Sequence, residues 1–260
     1  MAGKIITITQ QKGGSGKTTL AAHLAASYQI QFKHSVAVLD TDPQGSLGRW
    51  LMIRHQNRSE ADITLKTASA WGARYEAKQL AENHDLVIID MPPKSGGDGM
   101  PSIEVADLVL VPVAASPVDL WATEPTLDQI RQANKPFRII LNRYNPRNKL
   151  TEKIKEALKD LDVKATKTAL GHRVLYASSM GEGRTAGEAK PSSPAALEIN
   201  ALTNEVKKLR PMRSKNCSRK LENLPIFNCV QIVQRDPLLH NRNNRNCCTV
   251  YPDTLSVNHI

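Results

Sequence analysis

The chain has 260 residues, 40% of them hydrophobic, which is enough for one sizeable α/β domain with a buried core. It contains no apolar run of 18 residues, and its first residues lack the apolar region of a signal peptide, so we expect a cytoplasmic protein without a membrane span. The formal net charge of +10 suits a polyanionic partner, although a solvated basic surface would give the same value.

The positive charge is unevenly distributed along the chain. Residues 1–209 carry 27 Lys and Arg against 22 Asp and Glu (27 − 22 = +5), and residues 210–260 carry 8 against 3 (8 − 3 = +5). The second segment is rich in Asn and Arg, has no sustained periodicity, and holds all four cysteines in a spacing that fits no zinc site. We predict an α/β domain over 1–209 and a poorly ordered basic tail over 210–260, which a shifted or read-through reading frame would explain.

In chain order, the first 209 residues alternate short apolar runs with helical patterns, which is typical of βαβ units and a mostly parallel sheet. Apolar residues three or four positions apart predict helices at Thr18–Gln29, Thr151–Leu161 and Ala195–Leu209. The apolar runs are as short as expected of strands that are buried on both faces. They predict strands at Ile5–Thr9, Val36–Asp40, Leu86–Asp90, Leu108–Val113 and Phe137–Leu141, with a short sixth strand near Val163–Thr166.

A glycine-rich loop follows the first predicted strand and leads into the first predicted helix. Its sequence from Lys12 to Thr19 is KGGSGKTT. Glycines let backbone N–H groups turn toward phosphate oxygens, and the helix N-terminus adds partial positive charge. Lys17 would reach the β- and γ-phosphates, and the hydroxyl of Thr18 is a ligand for Mg²⁺. The loop departs from the usual G-x-x-x-x-G-K-[ST] pattern, because Gln11 stands where the first glycine is expected.

This form of the loop resembles the deviant Walker A motif of the ParA/MinD family of ATPases. The resemblance implies a P-loop α/β fold, with a mostly parallel twisted sheet flanked by helices. It implies that Lys12 reaches across a dimer interface to the partner's nucleotide, so that Lys12 and Lys17 both act on the phosphates. ATP and Mg²⁺ are the implied cofactors, and the implied nucleotide-binding loop residues are Gly13, Gly14, Ser15, Gly16, Lys17, Thr18 and Thr19.

Two further segments are similar to motifs of this family and follow in the same order. The sequence DTDPQG after the second predicted strand resembles the D-x-D-P-Q switch, which gives Asp42 the positioning of the attacking water and Asp40 a place in the Mg²⁺ shell. The run LVIID ends at Asp90 and resembles a Walker B strand, whose aspartate holds a Mg²⁺-bound water. The implied metal site therefore consists of Thr18, Asp40 and Asp90.

The base of the nucleotide is expected where the later strands end. The resemblance implies that Asn142 hydrogen-bonds the adenine edge, and the alternative is an Asn that caps a turn before Pro146. The segment Val111–Pro117 resembles the family's proline loop beside the purine but lacks the usual glutamine.

The resemblance also implies a function. ATP would join two subunits into a homodimer, the dimer would bind nonspecific DNA, and a ParB-like or small centromere-binding adaptor would stimulate weak ATP hydrolysis. Such a protein drives plasmid or chromosome partition on the nucleoid. Nonspecific DNA binding needs basic side chains directed at phosphates, and the candidates are Arg173, Arg184, Lys207, Lys208 and Arg210.

Three alternatives remain open. A ParA-like ATPase that positions another cellular cargo would share every motif. A membrane-linked MinD-like regulator needs a C-terminal amphipathic helix, which Pro252 would interrupt, so we expect no stable membrane association. A redox or synthetic enzyme on the same fold is the third alternative. Residues 1–209 contain no cysteine for an iron–sulfur cluster, and the D-x-D-P-Q segment argues against a dethiobiotin-synthetase-like ligase.

Several other residues invite a functional reading but have an ordinary structural one. We expect His23 and His172 to be packing or surface histidines. Trp50, Trp71 and Trp121 are expected in the core or in helix packing, and for Trp121 a partner surface is the alternative.

Overall fold

A six-stranded sheet lies at the centre of the described part of the computed structural model. Its strand order is β3-β2-β4-β1-β5-β6, and every pairing is parallel. Parallel neighbours need crossover connections, and helices supply them. The strands are β1 (Lys4–Ile8), β2 (Val36–Asp40), β3 (Ile63–Thr67), β4 (Leu86–Asp90), β5 (Leu108–Ala114) and β6 (Phe137–Asn142).

The structure describes residues 2–57, 63–69, 71–93, 96–145, 154, 156–158 and 163–209. These residues all belong to one compact unit, Met1–Met212. The predicted tail over 210–260 lies outside the described residues. Most of the predicted helix Thr151–Leu161 does so too, although Ile154 and residues 156–158 are helical.

Helices cover both faces of the sheet. Packing against one face are α1 (Lys17–Phe32), α2 (Ser46–Gln56), α7 (Val174–Gly181), α8 (Ala186–Ala189) and α9 (Pro194–Lys208). Packing against the other face are α3 (Ala73–Asn83), α4 (Met100–Glu104), α5 (Pro117–Trp121) and α6 (Glu124–Gln132).

Two hydrophobic cores separate the sheet from these helices, because successive side chains of a strand point to opposite faces. In β1, Ile6 and Ile8 belong to the core with α1, while Ile5 belongs to the core on the other face. In β4, Ile88 and Ile89 divide in the same way. The central strands are therefore continuous apolar runs, and their carboxyl ends meet at one edge of the sheet, where ligands bind in folds of this type.

Five of the predicted strands are confirmed to within one residue at either end, and the predicted sixth was wrong. Near Val163–Thr166, only an isolated bridge forms, between Ala165 and Ile139. The sixth strand is β3, at the sheet edge. It was not predicted, because only Ile63 in it is fully buried and its other side chains are exposed or half-buried.

The predicted first and last helices are confirmed as α1 and α9, with ends that differ by one to three residues. Trp50 is buried, as predicted, but Trp71 is 82% exposed, so its prediction as a packing residue was wrong. Trp121 is 72% exposed, so its prediction as a packing residue was wrong too, and the alternative, a partner surface, stays a prediction. Among the residues described, every helix is too short or too polar to cross a membrane.

Candidate functional site

Two glycines with positive φ shape the loop between β1 and α1. Gly14 has φ +73° and Gly16 has φ +94°, values that residues with a Cβ rarely adopt. Gly16 also lies against the end of β6, since a Cβ there would stand 2.4 Å from Nδ2 of Asn142. The same Nδ2 donates a hydrogen bond to the carbonyl of Ser15 at 2.8 Å. The loop is therefore fixed to β6 as well as to β1.

The N-terminus of α1 is suited to an anion. Its N-cap, Gly16, makes no side-chain hydrogen bond to the first turn of the helix. The first backbone N–H groups of α1 are therefore available to bind an anion. Lys17 is only 6% exposed, and its Nζ donates to the carbonyl of Gln10 at 3.0 Å. Burial lowers the pKa of Lys17, while Asp90 and Asp42 act in the opposite direction. The hydroxyl of Ser15 is buried without a hydrogen-bond partner among the described residues. A phosphate chain would satisfy these donors.

Two carboxylates lie side by side at the ends of adjacent strands. The register of β2 and β4 places Asp40 opposite Asp90, and both are almost fully buried. Burial raises the pKa of Asp90 to about 7, with a further contribution from Asp40, against the lowering effects of Thr18 and Lys17. The Thr18 hydroxyl donates to Oδ2 of Asp90 at 2.7 Å. The other oxygen, Oδ1, is buried with no hydrogen-bond partner in the described chain, which leaves it free to accept from a metal-bound water.

This donor set fits Mg²⁺ bound together with phosphates. Within the described ranges, no three His, Cys, Asp or Glu side chains form a metal-binding group by themselves. Mg²⁺ commonly takes one or two carboxylates, keeps several waters and completes its shell with phosphate oxygens. The hydroxyl of Thr18 and the carboxylates of Asp40 and Asp90 make a partial shell of that kind.

Asp40 and Asp42 organise the segment between β2 and α2. Oδ1 of Asp40 accepts a hydrogen bond from the N–H of Asp42, and Oδ2 accepts one from the N–H of Gly48, both at 3.0 Å. Burial raises the pKa of Asp40. Oδ1 of Asp42 accepts from the N–H of Gln44 at 2.9 Å. Residues 40–45 line a cavity of about 920 Å³ together with residues that follow β3 and β4. Asp42 therefore lies in the wall of an open space beside the acidic pair.

The side chain that the resemblance places across a dimer interface has a partner within its own chain. Nζ of Lys12 lies 2.5 Å from Oδ1 of Asp119 on α5, and the two side chains are 37% and 17% exposed. This contact was not predicted from the sequence. The pattern Ser116-x-x-Asp119 is a signal for a helix start, and Ser116 does cap α5, but that pattern says nothing of Lys12.

Asn142 has both halves of its amide occupied within the chain. Nδ2 binds Ser15, and Oδ1 accepts from the N–H of Arg143 at 2.9 Å. The side chain therefore ties β6 to the glycine loop, and an adenine contact remains a prediction.

The predicted DNA-contacting arginines flank α7, and each has a partner in the chain. Nη2 of Arg173 lies 2.7 Å from Oε1 of Glu198. Nη2 of Arg184 donates to the carbonyl of Glu188 at 2.6 Å. These contacts restrict the two guanidinium groups, although both side chains remain partly exposed.

The predicted DNA-contacting lysines lie in the last turn of α9. Lys207 and Lys208 are exposed, and Nζ of Lys207 lies 3.4 Å from the ring centroid of Phe32. Arg210 lies outside the described residues. The described candidates therefore lie in two places, beside α7 and at the end of α9, and their role in binding DNA stays a prediction.

A buried ion pair connects α2 to α8 and was also missed from the sequence. Nη1 and Nη2 of Arg54 donate to the carboxylate of Glu188 at 2.9 and 2.8 Å, and the two side chains are 0% and 7% exposed. The indole of Trp50 donates to the carbonyl of Arg184 at 3.2 Å. No local sequence pattern predicts these contacts, because the partners are about 130 residues apart in the chain.

His23 is a packing residue, as predicted. It is completely buried, and burial lowers its pKa to about 4, so the ring is neutral near pH 7. Nδ1 lies 2.9 Å from the carbonyl of Thr19, and Nε2 accepts from the N–H of Ala186 at 3.1 Å. This places the proton on Nδ1 and links α1 to α8.

Comparison with proteins of known sequence finds similar relatives. The "Maintenance of carboxysome distribution protein A" of Halothiobacillus neapolitanus is 28% identical over 216 residues, covering 77% of this chain and 95% of the relative. The "Chromosome-partitioning ATPase Soj" of Thermus thermophilus is 27% identical over 238 residues, covering 77% of this chain and 94% of the relative.

Solved structures show the same fold. The septum site-determining protein MinD of Pyrococcus horikoshii OT3, complexed with Mg-ADP, matches with a TM-score of 0.68 and 21% identity, over 79% of this chain and 96% of that one. An ATP complex of McdA from Cyanothece matches with a TM-score of 0.66 and 18% identity, over 79% and 94%.

The family of this chain follows from its match to a family model. Residues 6–185 match the model described as the CobQ/CobB/MinD/ParA nucleotide binding domain, which is more than half of the chain. This range contains the glycine loop, the D-x-D-P-Q segment and the strand that ends at Asp90. The resemblance to the ParA/MinD ATPases is thus confirmed, and the chain belongs to the CobQ/CobB/MinD/ParA family of nucleotide-binding domains.

Proposed function

We propose that this chain is an ATP-hydrolysing switch that dimerises on ATP, binds nonspecific DNA as a dimer, and drives plasmid or chromosome partition. A ParB-like or small centromere-binding adaptor stimulates its slow turnover. The observation that carries the proposal is the arrangement of Thr18, Asp40 and Asp90 beside the buried Lys17, at the edge where the strands end.

ATP and Mg²⁺ are the cofactors of this switch. The backbone of residues 13–19 and the ammonium of Lys17 bind the phosphates. Thr18, Asp40 and Asp90 would hold Mg²⁺ and its waters, and the charge of a bound ion would offset that of the phosphates. The Asp42 carboxylate, in the wall of the open cavity, orients the attacking water.

Pairing of two subunits is the event that ATP controls. Lys12 of each subunit completes the nucleotide site of the other, so the nucleotide binds the dimer more tightly than the separate subunits and shifts the equilibrium toward it. Hydrolysis removes that preference, and the dimer dissociates.

DNA binding follows from the basic residues at the end of α9 and beside α7. Lys207 and Lys208 are exposed, and dimerisation doubles the number of such groups on one particle. Arg173, Arg184 and Arg210 add to them. Contacts of this kind neutralise phosphates without reading bases, so the binding is independent of sequence.

A second candidate function is the positioning of a different cellular cargo. It is favoured by the 28% identity to a relative named for carboxysome distribution. The nucleotide chemistry would be the same, and the adaptor would be carried by the cargo instead of a DNA site.

An electrophoretic mobility shift assay on random-sequence duplex DNA tests the proposal. We expect binding with ATP but not with ADP or without nucleotide, and a log K that falls by roughly 0.9 per neutralised phosphate as log salt rises. Lys12→Ala should lose the ATP-dependent binding. Equal binding in all three nucleotide states would contradict the switch and implicate the basic residues after position 209.

The adaptor decides between the two candidate functions. Stimulation of ATP hydrolysis by a centromere-binding protein encoded beside this gene supports partition. Stimulation by a protein of another cargo, with none by a centromere-binding protein, supports the second candidate.

A further inference from the structure

The strand β3 forms one edge of the sheet, and its backbone groups point alternately to its two sides. β3 pairs with β2, and the N–H of Ala68, directly after the strand, donates to the carbonyl of Asp40 at 3.3 Å. Since the direction alternates from residue to residue along a strand, the backbone groups of Thr64 and Lys66 also point toward β2.

The backbone groups of Ile63, Leu65 and Thr67 therefore point away from the sheet. Among the residues that the structure describes, β2 is the only strand that pairs with β3, and no hydrogen bond reaches these three groups from outside the sheet. Such a row of unpaired N–H and C=O groups is a template on which another strand can pair. The edge of β3, defined by these three residues, is thus an open binding surface in the described part of the chain.

An apolar side chain lies exposed on the helix that covers one face of this edge. A Cβ at Gly48 on α2 would stand 3.7 Å from Cδ2 of Leu65, so this side of α2 lies against β3. Met52 follows Gly48 by four residues and therefore lies on the same side of the helix. It is 61% exposed. A strand added to the edge of β3 would find an apolar contact there.

The charge of the edge selects the kind of strand that can pair with it. The side chain of Lys66 points to the face opposite to that of Leu65 and is exposed. Two copies of this edge would bring like charges together, and like charges directly opposite each other destabilise a strand pair. An acidic residue opposite Lys66 would stabilise it. The edge therefore disfavours a second copy of this chain and favours a different, acidic strand.

The carboxyl end of β3 lies beside the switch segment. Thr67, Ala68 and Ser69 line the cavity of about 920 Å³ together with residues 42–45. A segment bound along β3 would thus end next to the part of the chain that carries Asp42. Binding at the edge and hydrolysis at the site are in this way brought within reach of each other.

We propose that the edge of β3 binds an extended apolar segment of the adaptor protein, with one acidic residue opposite Lys66. The segment adds a further strand to the sheet, contacts Met52, and places the adaptor beside residues 42–45. This inference rests on the proposed function, because the adaptor belongs to it, and deepens it by naming the surface at which the adaptor docks and the chemistry that is recognised.

Amide hydrogen exchange of the full, nucleotide-free chain, followed by NMR, tests the proposal. The probe is a short synthetic peptide in which valine and threonine alternate around one central glutamate. At ten times its dissociation constant, we expect exchange of the Leu65 and Thr67 amides to slow by about ten-fold. The amides of Thr64 and Lys66, which already face β2, should change little.

The charge is tested with Lys66→Glu and with a second peptide that has lysine in the central position. Opposite charges on paired strands change an equilibrium by up to about five-fold, so Lys66→Glu should weaken the glutamate peptide by two- to five-fold and favour the lysine peptide. Lys78→Glu is the matched control. It reverses an exposed lysine on α3 and should leave both affinities unchanged.

Four results would overturn the inference. They are fast exchange of Leu65 and Thr67 with both peptides, equal responses of Lys66→Glu and Lys78→Glu, and slow exchange without peptide. Slow exchange that depends on protein concentration would mean that a second copy occupies the edge, and slow exchange that does not would mean that the chain covers the edge itself. None of these results affects the proposed function, which the mobility shift on DNA tests without an adaptor. Peptide binding by a chain without ATP-selective DNA binding overturns the assignment to an adaptor.

Discussion

At the scale of single residues, the site depends on charged side chains that are buried next to one another. Asp40 and Asp90 face each other with little exposure, and Lys17 is buried nearby. Burial raises the pKa of both carboxylates, and Asp40 raises that of Asp90 further, which makes the charged pair unfavourable until a cation joins it. The residues therefore favour the bound state of the site over the empty one.

Asp42 differs from these two carboxylates because it is only half-buried. If it orients the attacking water, Asp42→Ala should lower ATP turnover by roughly 10²- to 10⁴-fold while the ATP-bound dimer still forms and binds DNA. Turnover is measured by phosphate release and dimerisation by sedimentation with ATP. A variant that hydrolyses ATP at the normal rate would rule out this role.

A substitution at Gly16 tests the conformation of the glycine loop in the nucleotide-free protein. Gly16→Ala should lower the free energy of unfolding by about 1–3 kcal/mol, since it introduces strain at φ +94° and a contact with the Asn142 amide. Gly13→Ala is the matched control, because a Cβ at Gly13 meets nothing within 4 Å. Denaturant unfolding of the nucleotide-free proteins measures both. Equal stability of the two variants would contradict the strain argument.

At the scale of elements, α2 joins the switch segment to α8. It begins directly after residues 40–45 and is bound to Glu188 by Arg54. α8 also contacts α1, because the N–H of Ala186 donates a hydrogen bond to His23. The helix that carries the glycine loop and the helix that follows Asp42 thus both contact the short helix beside α7.

Breaking this link should be costly for stability. Arg54→Met removes the buried guanidinium that pairs with the Glu188 carboxylate, so we expect the free energy of unfolding to fall by about 3–5 kcal/mol. Adding Glu188→Gln should recover part of the loss, because the buried negative charge is then removed as well. Arg131→Met, which removes an exposed ion pair, should change the free energy of unfolding by no more than about 1 kcal/mol. A similar small effect at Arg54 would show that the pair is dispensable.

The elements that the sequence predicts well are those whose burial is uniform. β2 and β4 were predicted with their observed ends, because all five residues of each are buried and read as one apolar run. β3 was missed, since an edge strand with Lys66 and two threonines has little apolar signal. The motif residues at strand ends were predicted from the resemblance to the ParA/MinD family. Asp119 was not predicted, because its contact with Lys12 joins positions 107 residues apart, 119 − 12.

At the scale of the whole molecule, the charge of the chain comes from two unlike parts. A chain ending at Met212, the end of the compact unit, loses 7 Lys and Arg and 3 Asp and Glu, a net of 7 − 3 = +4. We expect this shorter chain to keep ATP-selective DNA binding and to lose binding that occurs without nucleotide. Mobility shift assays at several salt concentrations check both. Loss of the ATP-selective binding would place the DNA contacts after position 212.

The strand order also has a consequence for synthesis. β4 lies between β1 and β2 in the sheet but follows both of them in the chain, and β1 has only β4 and β5 as neighbours. While the chain emerges from the ribosome, β1 has no strand to pair with until Leu86–Asp90 is outside the exit tunnel. The glycine loop is among the first segments to be made. Asp90, which accepts a hydrogen bond from Thr18, is made about 70 residues later. A nascent chain therefore completes this part of the site only after Leu86–Asp90 has left the exit tunnel, when β4 can fill the gap between β1 and β2.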